Sequence, residues 1–213
     1  AYNTTKNDDT HVGIATSSNF NFGTGDFTIE MFIFLEKQKN FNNVYDQRTS
    51  TQDATTASPI IYIDSNNYIN YYVAGAGRNF SSALSLGVWY HVAVTRASGS
   101  TKLFLDGTQQ GSAFSDGLTY VQPASEFSFG GSKEQSNYNF SGHISNLRVV
   151  KGTAVYTSNF TKPTSELTAI SGTSLLTCQG STPFVDNSGN SVTLTPNGDP
   201  QESAFGPFTG SEA

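Results

Sequence analysis

Several residue types are scarce in this 213-residue sequence. It has one cysteine, one methionine and one tryptophan, and charged residues make up only 13% of it. A single cysteine excludes an internal disulfide bond and a metal site built from several thiolates. Because Cys178 follows the run Ser-Leu-Leu-Thr, we expect it to be a buried thiol on a strand.

Positive charge is also scarce, and it does not cluster. The chain has 11 Lys and Arg residues against 17 Asp and Glu residues, which gives a formal net charge of −6. Proteins that bind phosphate backbones or anionic lipid need a positively charged patch, so nucleic acid is not an expected partner. The sequence also lacks an apolar run of the roughly 20 residues that a membrane-spanning helix needs, and no membrane insertion is expected.

Short runs rich in Val, Ile, Phe and Tyr recur between Gly, Asn, Asp and Ser residues, a pattern typical of an antiparallel β-sandwich. The clearest predicted strands are FTIEMFIFLE (27–36), two strands within PIIYIDSNNYINYYVA (59–74), VWYHVAVTR (88–96), TKLFLDG (101–107), EFSFGG (126–131) and HISNLRVV (143–150). A single helical turn is expected at 163–167.

Two hairpins are predicted. Within 59–74, two apolar runs flank a polar Ser-Asn-Asn that suits a tight turn. The second hairpin has Ala-Ser-Gly-Ser as its loop, so that Arg96 pairs with Thr101. The register that follows places four residues on one apolar face: Val92, Val94, Leu103 and Leu105.

The same register places His91 beside Asp106 on the other face, where their side chains could hydrogen-bond. A His-Asp pair is part of a hydrolase triad. No G-x-S-x-G turn accompanies it, so a structural pair is favoured. The nearby Trp89 is interpreted as an anchor of the core or of a sheet face, with a sugar-stacking platform as the alternative.

Several segments together resemble laminin-G-like, or concanavalin A-like, lectin and glucanase domains. WYHVAVTR with LFLDG is similar to the central hairpin of that family, FGTGDFTIEMFIF (22–34) to its opening core strand, and FSGHISNLRVVKGTAVYTSNFTKPTSEL (140–167) to its late segment. The closing SLLTCQG, VDNSGN and SVTLT (174–195) resemble the versions in bacteriophage structural and tail proteins. The resemblance implies a two-sheet antiparallel jelly roll. We expect a single domain over 1–213, with 196–213 an edge segment or connector.

The resemblance also suggests glycoside hydrolysis as a candidate activity. Glucanases of this superfamily use two carboxylates on one strand, typically as E-x-D-x-x-E. The comparable strand here has Glu30 and Glu36 without the middle carboxylate. At about 3.3 Å per residue they lie roughly 20 Å apart, beyond the ~5–10 Å that either glycosidase mechanism uses. A non-enzymatic protein is therefore expected, with a glycoside hydrolase relative as the second alternative.

Calcium is the one cofactor that the resemblance implies, because related lectin domains often bind it through Asp side chains. The candidate ligands are Asp26 and Asp186, with Asp8 and Asp9 as further options. A plain turn is the favoured interpretation of VDNSGN around Asp186. The histidines His11, His91 and His143 lie on separate predicted strands, which gives a His-based metal site little support.

For ligand binding, the concave face and rim loops of a jelly roll are the natural platforms, since tyrosines stack on sugars and Arg donates directional hydrogen bonds. The predicted ligand-binding residues are Tyr45, Arg78 and Tyr138, with Tyr71 and Tyr72 less favoured.

We therefore expect a carbohydrate-binding or adhesive module on a virion surface (tail fibre, spike or capsid decoration) or another extracellular surface. Its expected partners are a cell-surface glycan or polysaccharide, other virion proteins and, as an option, further copies of itself. The alternative is a structural domain that packs against partner subunits and binds no sugar.

Overall fold

The computed structural model describes residues 2–3, 9–49, 56–180 and 182–209, which form two antiparallel sheets around a shared apolar core. Within these ranges the strands are β1 (Tyr2–Asn3), β2 (His11–Ile14), β3 (Phe27–Leu35), β4 (Asn42–Asp46), β5 (Ile60–Ile63), β6 (Tyr68–Val73), β7 (Ala76–Ala83), β8 (Trp89–Ala97), β9 (Ser100–Leu105), β10 (Thr108–Gln109), β11 (Phe114–Ser115), β12 (Phe127–Phe129), β13 (Gly142–Lys151), β14 (Thr173–Thr177), β15 (Leu194–Asn197) and β16 (Gln201–Glu202). The predicted all-β sandwich is confirmed.

The described part of the chain has one helical segment, a 3₁₀ turn at Ser18–Phe20. The expected turn at 163–167 does not form. Among the described residues, no helix has the length and hydropathy needed to cross a bilayer.

The first sheet has the order β10-β9-β8-β3-β13-β1-β16, with β11 also paired to β9 and β14 also paired to β13. The second sheet has the order β15-β2-β12-β4-β5-β6-β7. Strands β15 and β16 lie at the ends of the second and the first sheet, respectively. The role of 196–213 as an edge segment or connector stays a prediction. The assignment of 1–213 to one domain stays a prediction.

The predicted register of the β8–β9 hairpin is confirmed: Arg96 pairs with Thr101, and Val94 with Leu103. The loop is shorter than expected, because Ala97 and Ser100 also pair. Its two remaining residues have φ of 48° and 74°, the left-handed geometry of the tight turns that suit twisted hairpins.

Strand β3 is buried on both faces. Its alternate residues Phe27, Ile29, Met31, Ile33 and Leu35 belong to the core between the sheets. Its other face is covered by residues 152–170, which we call the strap. The strap has no regular secondary structure, so side chains of the sheet hold it: Thr28 Oγ1 donates to the carbonyl of Thr153 at 3.0 Å, and Thr95 Oγ1 donates to that of Tyr156 at 2.8 Å.

Under the strap lies a buried ionic group, the Glu30 cluster (Glu30, His91, Arg148 and Tyr156). Arg148 is directly opposite Glu30 in the β3–β13 pair, and its Nε and Nη2 donate to Glu30 Oε1 at 2.8 and 2.6 Å. His91 Nε2 lies 3.0 Å from Glu30 Oε2, to which the Tyr156 hydroxyl donates at 2.8 Å. Burial and the nearby Glu30 raise the pKa of Tyr156, which keeps this hydroxyl a donor. One carboxylate thus joins three strands to the strap.

The predicted side-chain pair of His91 with Asp106 is wrong. The ring of His91 bonds Glu30, while Asp106 Oδ1 accepts the backbone N–H of His91 at 2.8 Å. Asp106 has a φ of 49°, so it has already left the strand, and its carboxylate turns back to the main chain. The histidine is nevertheless structural, since it is fully buried.

The C-terminal segment 203–209 covers a further part of this sheet face. Phe205 packs against Phe34 and Trp89, with ring centroids 4.9 and 5.5 Å apart, and Phe208 packs edge-on against Phe32 at 5.0 Å. Trp89 is therefore a sheet-covering anchor. Cys178 is buried as expected, one residue beyond β14, and burial raises the pKa of its thiol to about 12.

Replacing Glu30 with Gln should lower the free energy of unfolding by roughly 3–5 kcal/mol, because it leaves Arg148 buried without a counter-charge. Burial alone would raise the pKa of Glu30, but His91 and Arg148 hold it below its ordinary value of 4.5. The stabilisation is therefore present above about pH 4.5 and is lost as the pH falls through the lower folded-state pKa. Urea unfolding at several pH values should show a shallower acid-side loss of stability in Glu30→Gln than in the wild type.

The control is Glu36→Gln, since the carboxylate of Glu36 pairs with His143 at 2.8 Å and is about one-third exposed. It should cost about 1 kcal/mol or less. Equal effects of the two substitutions would contradict the assignment of the strap anchor to Glu30.

Candidate functional site

The outer face of the second sheet has a cluster of partly open aromatic side chains, which we call the aromatic groove (Phe41, Tyr62, Tyr72 and Tyr138). It lines a cavity of about 150 Å³. Tyr62 and Tyr72 lie on the neighbouring strands β5 and β6, where Ile60 pairs with Tyr72. The residues that alternate with them, among them Ile61 and Tyr71, are in the core, so the pleat directs both tyrosines outward.

Two loops complete the groove. Phe41 precedes β4, and its ring centroid lies 5.4 Å from that of Tyr62 and 4.9 Å from that of Tyr138. The carbonyl of Tyr138 accepts the backbone N–H of Asn43 at 3.0 Å, which fastens the 133–139 loop to β4. Opposite Tyr72 the neighbouring strand has Gly77, which has no side chain to cover the ring.

Phe41 combines two unfavourable properties. Its side chain is 41% exposed, and its φ is 56°, a left-handed conformation that costs a non-glycine residue about 1–2 kcal/mol. Strained residues of this kind concentrate at functional sites, where the surrounding structure holds them in place. An exposed aromatic ring on a strained backbone is therefore the strongest single indication of function on this face.

Beside the aromatic rings is a polar group centred on Asp46. Its carboxylate accepts hydrogen bonds from Arg48 Nε at 2.9 Å, Arg48 Nη2 at 2.7 Å and the Arg48 backbone N–H at 3.1 Å. Asn43 Nδ2 and Ser132 Oγ also donate to it, at 3.0 and 2.8 Å. Burial alone would lower the pKa of Arg48, but Asp46 raises it, so the guanidinium stays charged and its hydrogen bonds hold it in place.

Of the predicted ligand-binding residues, Tyr138 is in the groove, while Tyr45 is not a rim residue. Tyr45 is fully buried, and its hydroxyl donates to Gln47 Oε1 at 2.8 Å. The register of β4 against β5 shifts between Asn43 and Tyr45, and such a bulge changes which side chains point inward. Burial raises the pKa of the Tyr45 phenol well above its ordinary range.

Arg78 and Tyr71 lie away from the groove. Arg78 is exposed on β7, stacks over the ring of Phe114 at 4.9 Å and borders a different cavity of about 180 Å³. Its role in ligand binding stays a prediction. Tyr71 is buried, with its hydroxyl 2.7 Å from that of Tyr120. The sequence interpretation missed Phe41, Tyr62 and Arg48; a period-two count along 60–72 identifies Tyr62.

Two of the candidate calcium ligands, Asp186 and Asp26, cap turns and loops. Asp186 accepts four hydrogen bonds, from the backbone N–H groups of Leu176, Ser188 and Val192 and from the Ser188 hydroxyl, at 2.8–3.2 Å. Asp26 accepts the N–H of Ser98 at 2.7 Å. Asp8 lies outside the described residues. Within the described ranges, no cluster of three or more His, Cys, Asp or Glu side chains is arranged to hold a metal ion, and calcium stays a prediction.

Glu30 and Glu36 do not form a carboxylate pair. Each is bonded to a different histidine, Glu30 to His91 and Glu36 to His143. Glu30 is also fully buried beneath the strap, so a saccharide outside the protein has no access to it.

Comparison with known proteins identifies the same architecture. The sequence pattern of the Concanavalin A-like lectin/glucanases superfamily matches residues 7–155, more than half of the chain. No curated protein matches the sequence. A Bacteroides ovatus protein provisionally described as carbohydrate-binding is similar in structure, with a TM-score of 0.70 and 18% identity over 91% of this chain and 58% of that one.

A Trypanosoma rangeli sialidase, solved with 2,3-difluorosialic acid as a covalent intermediate, is similar with a TM-score of 0.51 and 16% identity, over 69% of this chain and 25% of that one. The chain thus spans little more than half of the first protein and a quarter of the second. At these identities, the likeness shows the fold.

Because the backbone of Phe41 is strained, we expect Gly at this position to be more stable than Ala, the reverse of the usual order. Both Phe41→Ala and Phe41→Gly remove the ring, but only Gly relieves the left-handed backbone, so Phe41→Gly should be more stable than Phe41→Ala by about 1 kcal/mol. Leu86 is the matched control, since it is 49% exposed and does not have a positive φ. There Ala should be the more stable by roughly 0.4–1 kcal/mol, because Gly gives the unfolded chain more conformational freedom. Urea unfolding measures all four, and the same order at both positions would rule out strain at Phe41.

Proposed function

Because this chain belongs to the concanavalin A-like lectin/glucanases superfamily, we propose that it is a non-enzymatic carbohydrate-binding module whose ligand occupies the aromatic groove. The observation that carries the proposal is the exposed, strained Phe41 held between Tyr62 and Tyr138. Three further features support it: the superfamily itself, the description of the Bacteroides ovatus protein as carbohydrate-binding, and the burial of Glu30.

The chemistry of the groove suits a sugar ring. The C–H faces of a pyranose pack against aromatic rings, and such contacts exclude water without requiring a charge. The tyrosine hydroxyls donate and accept hydrogen bonds, as sugar hydroxyls do. Burial and the nearby Asp64 raise the pKa of Tyr62, so its phenol stays neutral. A sheet with fixed aromatic side chains loses little conformational freedom when a ligand binds.

Because residues 174–195 resemble segments of bacteriophage structural and tail proteins, we propose that the module is displayed on a virion surface, as part of a tail fibre, spike or capsid decoration. Its partners there are a cell-surface polysaccharide and neighbouring virion proteins. Binding of a bacterial polysaccharide in the aromatic groove would then attach the virion to the cell surface. The same groove would bind glycans equally well if the module were part of an extracellular protein that does not belong to a virion.

The structural alternative requires a broad apolar surface. The large exposed apolar residues in the described part of the chain are Phe41, Leu86, Val88, Ile170 and Val185. They come from four separate segments of the chain, and an interface that joins subunits would need them to form one continuous patch. Phe41 alone among them stands in an aromatic cavity, which favours a ligand over a subunit.

The proposal predicts that Phe41→Ala and Tyr138→Ala each weaken glycan binding by at least about tenfold, since a central aromatic contact is worth 1.4 kcal/mol or more. The ligand is found first on an array of glycans and bacterial polysaccharides, in calcium and again in chelator, and affinities are then measured by calorimetry. Loss of binding in chelator would support the predicted calcium site.

Two variants serve as controls. Leu86→Ala removes an exposed apolar side chain outside the groove and should bind normally. Arg78→Ala tests the sequence prediction for that residue, and binding by the groove predicts no change. A folded protein that binds nothing on the array would support the structural alternative, and release of reducing sugar from a bound polysaccharide would overturn the non-enzymatic assignment.

A further inference from the structure

The electrostatics of the aromatic groove limit which sugars it can hold. Arg48 is the cation that lines the cavity, and its Nε and Nη2 are both directed to the buried carboxylate of Asp46. This paired geometry is the one by which a guanidinium recognises a carboxylate, sulfate or phosphate. The carboxylate of Asp46 therefore already accepts the two N–H groups of Arg48 that would otherwise bind an anionic ligand in this way.

In the described part of the chain, the lysines nearest the groove are engaged by other partners: Lys133, in the same loop as Tyr138, pairs with Glu126 at 3.4 Å. The ammonium of Lys39 donates to Asn139, beside Tyr138. On the acidic side, Glu134 acts electrostatically on Arg48, and Asp64 acts on Tyr62. The net charge of −6 on the whole chain also disfavours the approach of an anion.

The size of the groove limits the contact as well. Its volume of about 150 Å³ lies below the roughly 300–1,000 Å³ of pockets that enclose a drug-sized ligand. The groove therefore holds one ring of a glycan, and the other sugars lie over the sheet or in solvent. The charge on that one residue then determines whether the glycan binds.

On the basis of the proposed function, we infer that the groove takes a single uncharged pyranose residue of a longer glycan and excludes residues that carry a carboxylate or a sulfate. Uronic acids, sialic acids and sulfated sugars are thus excluded as the contacting residue. Affinity comes from ring stacking and neutral hydrogen bonds, so it should respond little to ionic strength.

The test compares charged and neutral forms of the same polysaccharide. Any neutral hexose polysaccharide that binds is oxidised at its primary hydroxyls to carboxylates, and any acidic polysaccharide that binds is reduced at its carboxyl groups to the neutral form. Affinities are measured by calorimetry in 0.05 and 0.5 M NaCl, between which the Debye screening length shortens about threefold, from roughly 14 to roughly 4 Å. Only binding that Phe41→Ala abolishes is attributed to the groove.

In each pair, the neutral member should bind at least about tenfold more tightly, and its affinity should change by less than about twofold between the two salt concentrations. Tighter binding of the charged member, with an affinity that falls steeply as salt is added, would overturn the inference and leave the proposed function intact. If neither member of any pair shows binding that depends on Phe41, the proposed function itself is wrong.

Discussion

The buried carboxylate of Glu30 is the constraint on which the first sheet and its cover depend. A charge at this depth is tolerated only when it is paired and hydrogen-bonded, and its partners come from three directions: Arg148 from β13, His91 from β8 and Tyr156 from the strap. The register of β13 against β3 shifts between Ser145 and Arg148, and the pairing that resumes there is the one that places Arg148 opposite Glu30.

This arrangement explains why the two outer faces of the sandwich differ. The strap has no helix or strand of its own, so it lies on the first sheet only where side chains such as Thr28 and Thr95 bond its carbonyls. The aromatic packing of Phe205 and Phe208 covers Phe34 and Phe32 on the same face, and a cavity of about 310 Å³ remains between β13 and the segment 203–209. The second sheet keeps open aromatic rings on its outer face, beside a polar group already satisfied by Asp46. The buried ionic group thus lies on one face, and the candidate site lies on the other.

The sequence predicted the features that depend on residues close together along the chain, namely the register of a hairpin and the alternation of side chains along a strand. The β8–β9 register followed from apolar alternation and a short polar loop, and the division of Tyr71 inward and Tyr72 outward follows from the same period of two. Tyr45 was misplaced because a bulge in β4 is not visible in composition or alternation. The true partner of His91 lies on β3, and the sequence interpretation considered only the β9 neighbour. The groove was found only in part, because Phe41 and Tyr138 come together through long-range pairing of loops.

The proposed site also constrains how the module would work as an adhesin. A groove that holds one sugar ring buries little area, and the affinity of each contact is correspondingly limited. Adhesion to a polysaccharide, which repeats the same residue many times, gains strength when several grooves are held at a fixed spacing, because the second binding event then occurs at a high effective concentration. Rigid aromatic side chains on a sheet are suited to this use, since each copy presents the same preformed surface. The single-ring groove and the proposed display of many copies on a particle are therefore physically consistent: weak sites suffice where many of them act together.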